Sequence, residues 1–470
     1  MLPVNCGSHA DYQNLVVENL RKYYPNPDLL ARSTWDIIER FWHLDLSDTD
    51  TLLTHKYSKF GPAPRTPSCM QRSYLLSIDF KVSSITEWAA QLKMNPLFAI
   101  LSGFQVGDTP GVGTFYDFMK RLWDSDEPHM TSHIHPLKAK VKKPDAKGEK
   151  AASVEKVTVA ELLPQLEKTA FPLNDQPYAS LFKIYQKEFL DVSVEKGLIH
   201  KDSLALAGDG TPVVTSHRER KKRICKCKEN GINDCSCDRY FSQPDCDIGW
   251  DSSRDCFYHG YDLYMLVDSQ SDLPVFPHYS YASKHDSHGF LQAFFRMRAF
   301  LPDYKVSKVL LDSAHDAMPY YQYFKRQNIT PFIDLNGKGG RPPVYKNDFT
   351  IDKDGVPVCP SGHRMRRDGI EVAKGRMKFK CPKISHTGGC ISCTCDKPCS
   401  KAKYGRTVHL ILNDNPRLFN NPPRSSKEWK LEYNARTSAE RSNKREKLDF
   451  KLEDGRHRST KMWYCRLYHI

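Results

Sequence analysis

Ser203-Leu204-Ala205-Leu206-Ala207-Gly208-Asp209 is a short apolar run that closes on an acid, and Val306-Ser307-Lys308-Val309-Leu310-Leu311-Asp312 has the same form. Apolar runs of this length read as strands buried on both faces. Each Asp stands where such a strand reaches the surface, and open α/β sheets place their chemistry at the C-terminal ends of strands. An Asp at a strand end also starts turns, so neither is informative alone. Between the two runs, His259–Asp268 and Leu273–Tyr279 form a hairpin pattern joined by Ser269-Gln270-Ser271-Asp272, and a helix is expected from about Ser287 to Phe300. A helix over Met318–Gln327 and a strand over Thr330–Asp334 follow. Strand, hairpin, helix, strand, helix, strand is an α/β order.

A third acid lies in Tyr433-Asn434-Ala435-Arg436-Thr437-Ser438-Ala439-Glu440, a stretch that continues to Lys447. Ser425 and Glu428 make an S-x-x-E capping pattern, and no Pro or Gly follows before Gly455. The stretch therefore reads as one helix. At about 100° per residue, Tyr433, Arg436, Glu440 and Lys447 share a sector of roughly 60°. One narrow face then carries a phenol, a guanidinium, a carboxylate and an ammonium. A solvated helix with an Arg436–Glu440 ion pair at i,i+4 accounts for the same spacing. The two strand-end acids favour the functional reading: Asp209, Asp312 and Glu440, in the order strand, strand, helix, can converge on divalent cations.

The chain resembles bacterial insertion-sequence transposases of the DDE class, those with a Y-x2-R-x3-E-x6-K signature. Tyr433, Arg436, Glu440 and Lys447 match that spacing at every position, Gly208-Asp209-Gly210-Thr211 is similar to the first Asp motif, and Leu310-Leu311-Asp312-Ser313-Ala314-His315-Asp316 to the second. The similarity runs from about Ser84 to the C-terminus. It implies a ribonuclease H-like mixed sheet flanked by helices, where the pattern alone supports only α/β. It also implies metal-dependent cleavage of DNA at the element's ends, followed by attack of the freed 3′-hydroxyl on target DNA.

For that chemistry the resemblance implies two Mg²⁺ (or Mn²⁺) ions about 4 Å apart. Asp209 would bridge them, with Asp312 and Glu440 holding one each, since hard cations take carboxylate oxygens. Arg436 and Lys447 are expected on phosphates, the first bidentate and the second as a point charge. Tyr433 is expected to bond a terminal phosphate or stack on a base. His315 and Asp316 read as supports or helix caps rather than ligands. The implied partners are double-stranded DNA, at element ends and target, and a second copy of the chain in a homodimer assembled on it. A related metal-dependent nuclease without strand transfer, and a repurposed relative that only binds DNA, stay open.

The chain has 470 residues, 39% of them hydrophobic, and a formal net charge of +14 from 70 Lys+Arg against 56 Asp+Glu. That length fits two or three domains with a sizeable core. The basic excess suits a polyanionic partner held through salt-sensitive phosphate contacts. No apolar run reaches membrane-span length, and the N-terminus lacks a signal-peptide layout. The expectation is a cytoplasmic, nucleoid-associated protein without membrane contact. The run into Tyr468-His469-Ile470 reads as a helix within which the chain stops, and relatives are expected to continue further.

Residues 1–135 are expected to be helical and to serve DNA-end binding or oligomerisation. Ser84-Ile85-Thr86-Glu87 is a capping box for a helix with Trp88, Leu92 and Phe98 on its apolar side. A glycine-rich turn, Gly103 to Gly113, leads to a helix capped by Thr114. Helix, turn, helix fits a DNA-binding unit and equally a small bundle. Residues 136–157 are a Lys-rich linker and 158–200 a helical connector. The catalytic domain is expected in two parts, 201–335 and 424–470, around a Cys-rich insertion at 336–423.

Fifteen Cys residues in clusters point to metal rather than disulfides. Cys225-x-Cys227 and Cys235-x-Cys237 can give four thiolates to one zinc, with Cys246 and Cys256 as substitutes. In the insertion, Cys359, Cys381, Cys390 or Cys393, and Cys399 suggest a second zinc knot, with reduced structural thiols as the other account. Zinc at either place would be structural, because four thiolates leave no open position.

Overall fold

The axis of the fold is a strand of eleven residues, β2 (Leu204–Val214), whose first five residues are buried. The computed structural model describes residues 8–125 except 59 and 62, 134–135, 157–215, and 222–470 except 224, 236, 238, 241, 242, 244, 337–343, 346–348, 353, 386–391, 397, 403, 413 and 414. The Lys-rich linker therefore lies almost wholly outside the described residues.

Around β2 a mixed sheet forms. β6 (Cys256–Asp268) runs antiparallel along one edge of β2, with Asp209 opposite Met265. β5 (Asp247–Asp251) pairs with the first residues of β6 and β7 (Pro274–Tyr281) with the rest. On the other edge β8 (Val306–Leu311) runs parallel to β2, and β9 (Thr330–Ile333) parallel to β8. The order at the site is thus β7–β6–β2–β8–β9. Nine consecutive residues of β6, Gly260 to Asp268, are buried. A strand buried without alternation is covered on both faces, which is why the apolar runs carry no period-2 pattern.

Helices cover the sheet. α11 (Asp286–Phe300) packs on β2, β6 and β7, with Gly289 against the Tyr264 ring. α14 (Thr437–Lys444) crosses β2 and β6. β2 alternates between them: Gly208 faces Tyr264 and Gly210 faces Asp286, while Asp209 bonds Asn443 of α14. α15 (Thr460–Leu467) contributes Trp463, Tyr464 and Leu467 to the same core.

The N-terminal region is helical: α1 (His9–Tyr23), α2 (Arg32–His43), α3 (Ser47–Leu53), α4 (Pro67–Asp79), α5 (Ile85–Met94), α6 (Pro96–Ser102) and α7 (Val112–Arg121). Its apolar side chains are continuous with the core under the sheet. Ser84 caps α5 through Glu87 N–H at 3.4 Å. Phe98, expected on α5, belongs to α6, because Asn95 ends one helix and caps the next; it stacks on Trp88 at 5.2 Å. Thr114 is not the cap of α7: Gly111 is, with no side-chain bond. Every residue of α6 from Leu97 to Ser102 is buried, so α6 cannot serve as an exposed recognition helix. The connector holds α8 (Val159–Lys168) and α9 (Ala179–Tyr185), the latter running through a π-turn, Gln186–Asp191, into α10 (Val192–Glu195). No helix of the described residues is long and apolar enough to cross a membrane.

The insertion has its own small core of Phe349, Ile351, Met377, Phe379, Val408 and Leu410. Strands Arg366–Glu371, Arg376–Lys380 and Thr407–Ile411 form an antiparallel sheet there. Two arginines tie its exit to the main sheet. Arg417 clasps Asp316 at 2.6 to 2.9 Å, and the Asp316 side chain is fully buried. Arg424 bonds the Ile333 carbonyl at 3.0 Å and the Tyr321 hydroxyl, on α12 (Met318–Arg326), at 2.8 Å.

Candidate functional site

The parallel pairing of β2 and β8 sets Ala207 opposite Leu310. Two residues further along each strand, Asp209 is still within β2, opposite Met265 of β6, while Asp312 is the first residue past β8. Asp209 accepts from Asn443 Nδ2 at 3.1 Å through Oδ2. Asp312 accepts from His315 Nδ1 at 2.6 Å and Ala314 N–H at 3.1 Å, both through Oδ1. Asp209 Oδ1 and Asp312 Oδ2 have no hydrogen bond among the described residues. His315 is buried and its Nε2 meets the Tyr264 hydroxyl at 2.9 Å. The Asp312 carboxylate accepts, so Nδ1 carries a proton. That chain fixes the Asp312 carboxylate from behind.

The electrostatics differ between the two acids. Burial raises Asp209 to about 7, the Arg436 charge opposes this, and Asp286, Glu440 and Asp312 raise it further. Asp209 therefore sits within charge range of both other predicted acids. Burial also acts on Asp312, but the His315 bond and charge outweigh it and hold that carboxyl below its ordinary value.

The helix expected from Ser425 onward is not one helix. α13 (Lys427–Asn434) is capped by Ser426, whose Oγ accepts Trp429 N–H at 3.1 Å, not by Ser425. Around Ala435 and Arg436 the backbone tightens to i→i+3 bonds, Arg436 N–H to Tyr433 O at 2.9 Å and Ala439 N–H to Arg436 O at 3.2 Å. Thr437 Oγ takes the Asn434 carbonyl at 3.0 Å, competing with the helix ladder. After α14 the chain loosens into a π-turn, Arg445–Asp449. A tightened and a widened turn change the phase between Tyr433 and Lys447, so the four residues do not form one stripe.

Tyr433, Arg436 and Glu440 remain together. The Arg436 guanidinium lies 5.9 Å from the Tyr433 ring centre and bonds Glu440 Oε1 at 2.6 Å. Tyr433 stacks on Trp429 at 4.6 Å, and burial raises its phenol to about 12 against the Arg436 charge. Glu440 is half exposed, and Asn443, three residues on, shares its helix face. Lys447 lies apart: its Nζ bonds the Pro212 carbonyl of β2 and pairs with Glu453 at 3.4 Å.

Several site residues had not been foreseen. Asn443 was readable as the i+3 neighbour of Glu440. Asp286 opens α11 with its carboxylate 2.8 Å from where a Cβ on Gly210 would stand, so Gly210 keeps space for it. Asp262, opposite Pro212, lies under the same glycine, and burial and then the Asp286 charge push its carboxyl well above the usual carboxylate range. Asp316, bonded to Arg417, Tyr321 and Asn336 N–H, is a structural anchor.

The first Cys set does assemble. β3 (Lys222–Arg223) and β4 (Arg239–Tyr240) pair antiparallel, and β1 (Ile134–His135) adds to β4. The loop between β3 and β4 turns at Gly231 in the left-handed region, with Ile232 N–H on the Cys227 carbonyl at 2.8 Å. Cys225 meets Cys235 and Cys227 meets Cys237, each at 3.5 Å between sulfurs, and all four sulfurs lie within 4.8 Å of one another. Four such thiols can hold a metal such as zinc, closed to substrate. Neither expected substitute joins them, for Cys246 is in the main core and Cys256 is exposed at the start of β6.

The second set does not gather among the described residues. Cys359 packs into the insertion core, Cys399 lies at its edge, and Cys381 is buried, but with Cys395 they form no metal-holding group. Cys390 and the side chain of Cys393 lie outside the described residues. Burial among Met377, Phe379 and Leu410 gives Cys359 a packing role instead. Set beside known proteins, the chain matches no family model, no curated protein and no solved structure.

Proposed function

We propose that the chain is a DNA transposase of the DDE class, cutting at the ends of its element and joining the freed 3′-hydroxyl to target DNA. The observation that carries the reading is that Asp209, within β2, and Asp312, just past β8, extend the shared register of two adjacent parallel strands, with the Glu440 helix packed on β2. The strand order, three antiparallel followed by two parallel neighbours, supports a ribonuclease H-like sheet.

The donor set fits Mg²⁺ or Mn²⁺. Asp209 Oδ1 and Asp312 Oδ2 are unengaged hard oxygens, and the acids around them repel one another until a cation is present. Asp209, Asp312 and Glu440 would hold two ions, which when bound supply an activated oxygen nucleophile and a stabilised leaving oxygen. Asn443 orients Asp209 by taking its other oxygen. His315 does the same for Asp312 and keeps it ionised. Glu440, which bonds Arg436 at 2.6 Å, would be a further carboxylate for a cation, and Arg436 released from it would be able to clamp a phosphate in bidentate fashion. Tyr433, on its Trp429 stack, offers a hydroxyl at the same edge. Lys447, over Pro212, holds the Asp209 strand rather than a phosphate beside Glu440. In the first step water attacks phosphorus and the bond to O3′ opens. In the second that hydroxyl attacks a target phosphate, the new P–O bond replaces the bond to the target's own O3′, which leaves as a 3′-hydroxyl, and no covalent intermediate forms on the protein. Two ends cut together imply a homodimer on DNA.

The test is strand cleavage of labelled DNA carrying the element's terminal repeats, with Mg²⁺ or Mn²⁺, comparing wild type with Glu440→Gln. Cleavage and joining by wild type alone support the reading. Cleavage without joining moves it to a nuclease, and binding without cleavage to a repurposed DNA-binding protein. Equal activity in both proteins removes Glu440 from the site.

A further inference from the structure

Trp250 and Phe257 form a T-shaped pair, ring centres 4.8 Å apart, on facing positions of β5 and β6. Both are large apolar side chains left in solvent, 51% and 72% exposed. They stand on one wall of a groove of about 1100 Å³ at the edge where β5 and β7 meet end to end along β6. The opposite wall is α11, preceded by Lys284. His285, His288, Gln292 and Arg296 line the groove from this helix, and steps of three and four residues put them on one helical face. No carboxylate is among the described lining residues. His285 also caps α11 through Ser287 N–H at 3.2 Å, so the positive end of a 15-residue helix opens into the groove.

The groove is linked to the acidic centre through α11, whose Asp286 carboxylate approaches Gly210, the neighbour of Asp209. Asp286, whose charge raises Asp209, lies between His285 and Ser287 of its wall. Cations with hydrogen-bond donors on one side and exposed aromatic rings on the other are the two elements of a single-strand track. The first follows phosphates, and the second stacks on bases without regard to sequence. A duplex offers no free base faces to such rings.

We propose that this groove holds an unpaired DNA strand next to the cleavage site, with Trp250 and Phe257 stacking on its bases and Lys284, His288 and Arg296 meeting its phosphates. The inference rests on the transposase reading for the identity of the nucleic acid. It adds that the DNA is locally unpaired when it is cut.

The experiment measures anisotropy of fluorescein-labelled oligothymidylate and of a blunt duplex with the full chain, for wild type, Trp250→Ala/Phe257→Ala and Trp250→Phe. The double variant is expected to lose roughly 5- to 100-fold in single-strand affinity, with duplex affinity little changed and Trp250→Phe close to wild type. In cleavage, the double variant should lose more on fully paired ends than on ends unpaired beforehand. Equal single-strand affinity in wild type and double variant overturns the proposal, as does an equal loss on single strand and duplex. The binding arm is independent of catalysis. If wild type cuts nothing while the aromatic-dependent capture is present, the transposase reading fails and the groove stands. If wild type cuts normally and the capture is absent, the groove fails alone.

Discussion

The carboxylate centre and the thiol hairpin are both clusters of ligand-type side chains, built at opposite ranges of the chain. Asp209, Asp312 and Glu440 come from three elements that one core brings within charge range of one another, and among the described residues their carboxylates do not gather as closely as the thiols do. Cys225, Cys227, Cys235 and Cys237 come from one loop between paired strands, and none belongs to that core. The first cluster is held against its own repulsion by the packing of the sheet. The second has no apolar core of its own among the described residues and depends on whatever binds the thiols. A site made by long-range packing should tolerate loss of its ligand and keep its shape. A site made by a local loop should lose its shape with the metal and leave the rest intact.

The largest effect expected from this contrast is chemical. Asp209→Asn should lower cleavage by roughly a thousandfold or more, the scale on which a preorganised charge acts, measured as single-turnover rate. It should not lower Tm, because it removes one of several mutually repelling buried acids.

Packing should dominate where the insertion docks. Arg417→Ala leaves Asp316 buried and unpaired and should cost about 3–5 kcal/mol, read from denaturant unfolding. An unchanged midpoint would mean that the insertion exit does not hold the Asp312 end of the sheet.

Acid–base chemistry separates the regions next. Glu446, in the π-turn after α14, is buried at an apolar cavity of about 470 Å³ with Oε2 unpaired, and burial raises it from 4.5 to about 8. The folded state thus keeps a proton that the unfolded chain releases near 4.5. Stability from this group is fullest below that pH and falls as pH rises toward 8, by a few kcal/mol at about 1.4 per unit. Tm measured from pH 5 to 8.5 should show this slope, and Glu446→Gln should flatten it.

The smallest effect should fall on the thiol hairpin. Cys225→Ser/Cys237→Ser, or a chelator, should remove bound zinc by elemental analysis and raise amide exchange over residues 222–240. The main unfolding transition should stay within a few degrees. A large drop in Tm would make the hairpin part of the core's cooperative unit.

How far the site could be read in advance follows the same division. Asp209 and Asp312 were legible because each follows a buried apolar run, although β2 runs on past Asp209 to Val214 instead of ending there; the hairpin between them was legible because two apolar runs flank a polar turn. The break at Ala435 was not, because no Pro or Gly marks it; it arises from i→i+3 bonding and the Thr437 side chain. Phase counted along an ideal helix therefore placed Lys447 beside Glu440, when it lies over Pro212. Asp262 and Asp286 were hidden because their approach to Gly210 depends on strand register and helix docking. The C-x-C pairs were readable since their geometry is local. In the insertion, Cys359, Cys381 and Cys399 do not gather, and Cys390 and the Cys393 side chain lie outside the described residues.

The most direct test puts both regions into one assay. Mn²⁺-dependent cleavage of end DNA is measured for wild type, Asp209→Asn and Cys225→Ser/Cys237→Ser, with zinc content determined on each sample. The account predicts that Asp209→Asn keeps its zinc and loses cleavage, while the Cys variant loses zinc and still cleaves. Cleavage surviving in Asp209→Asn would contradict the carboxylate centre as the seat of the chemistry.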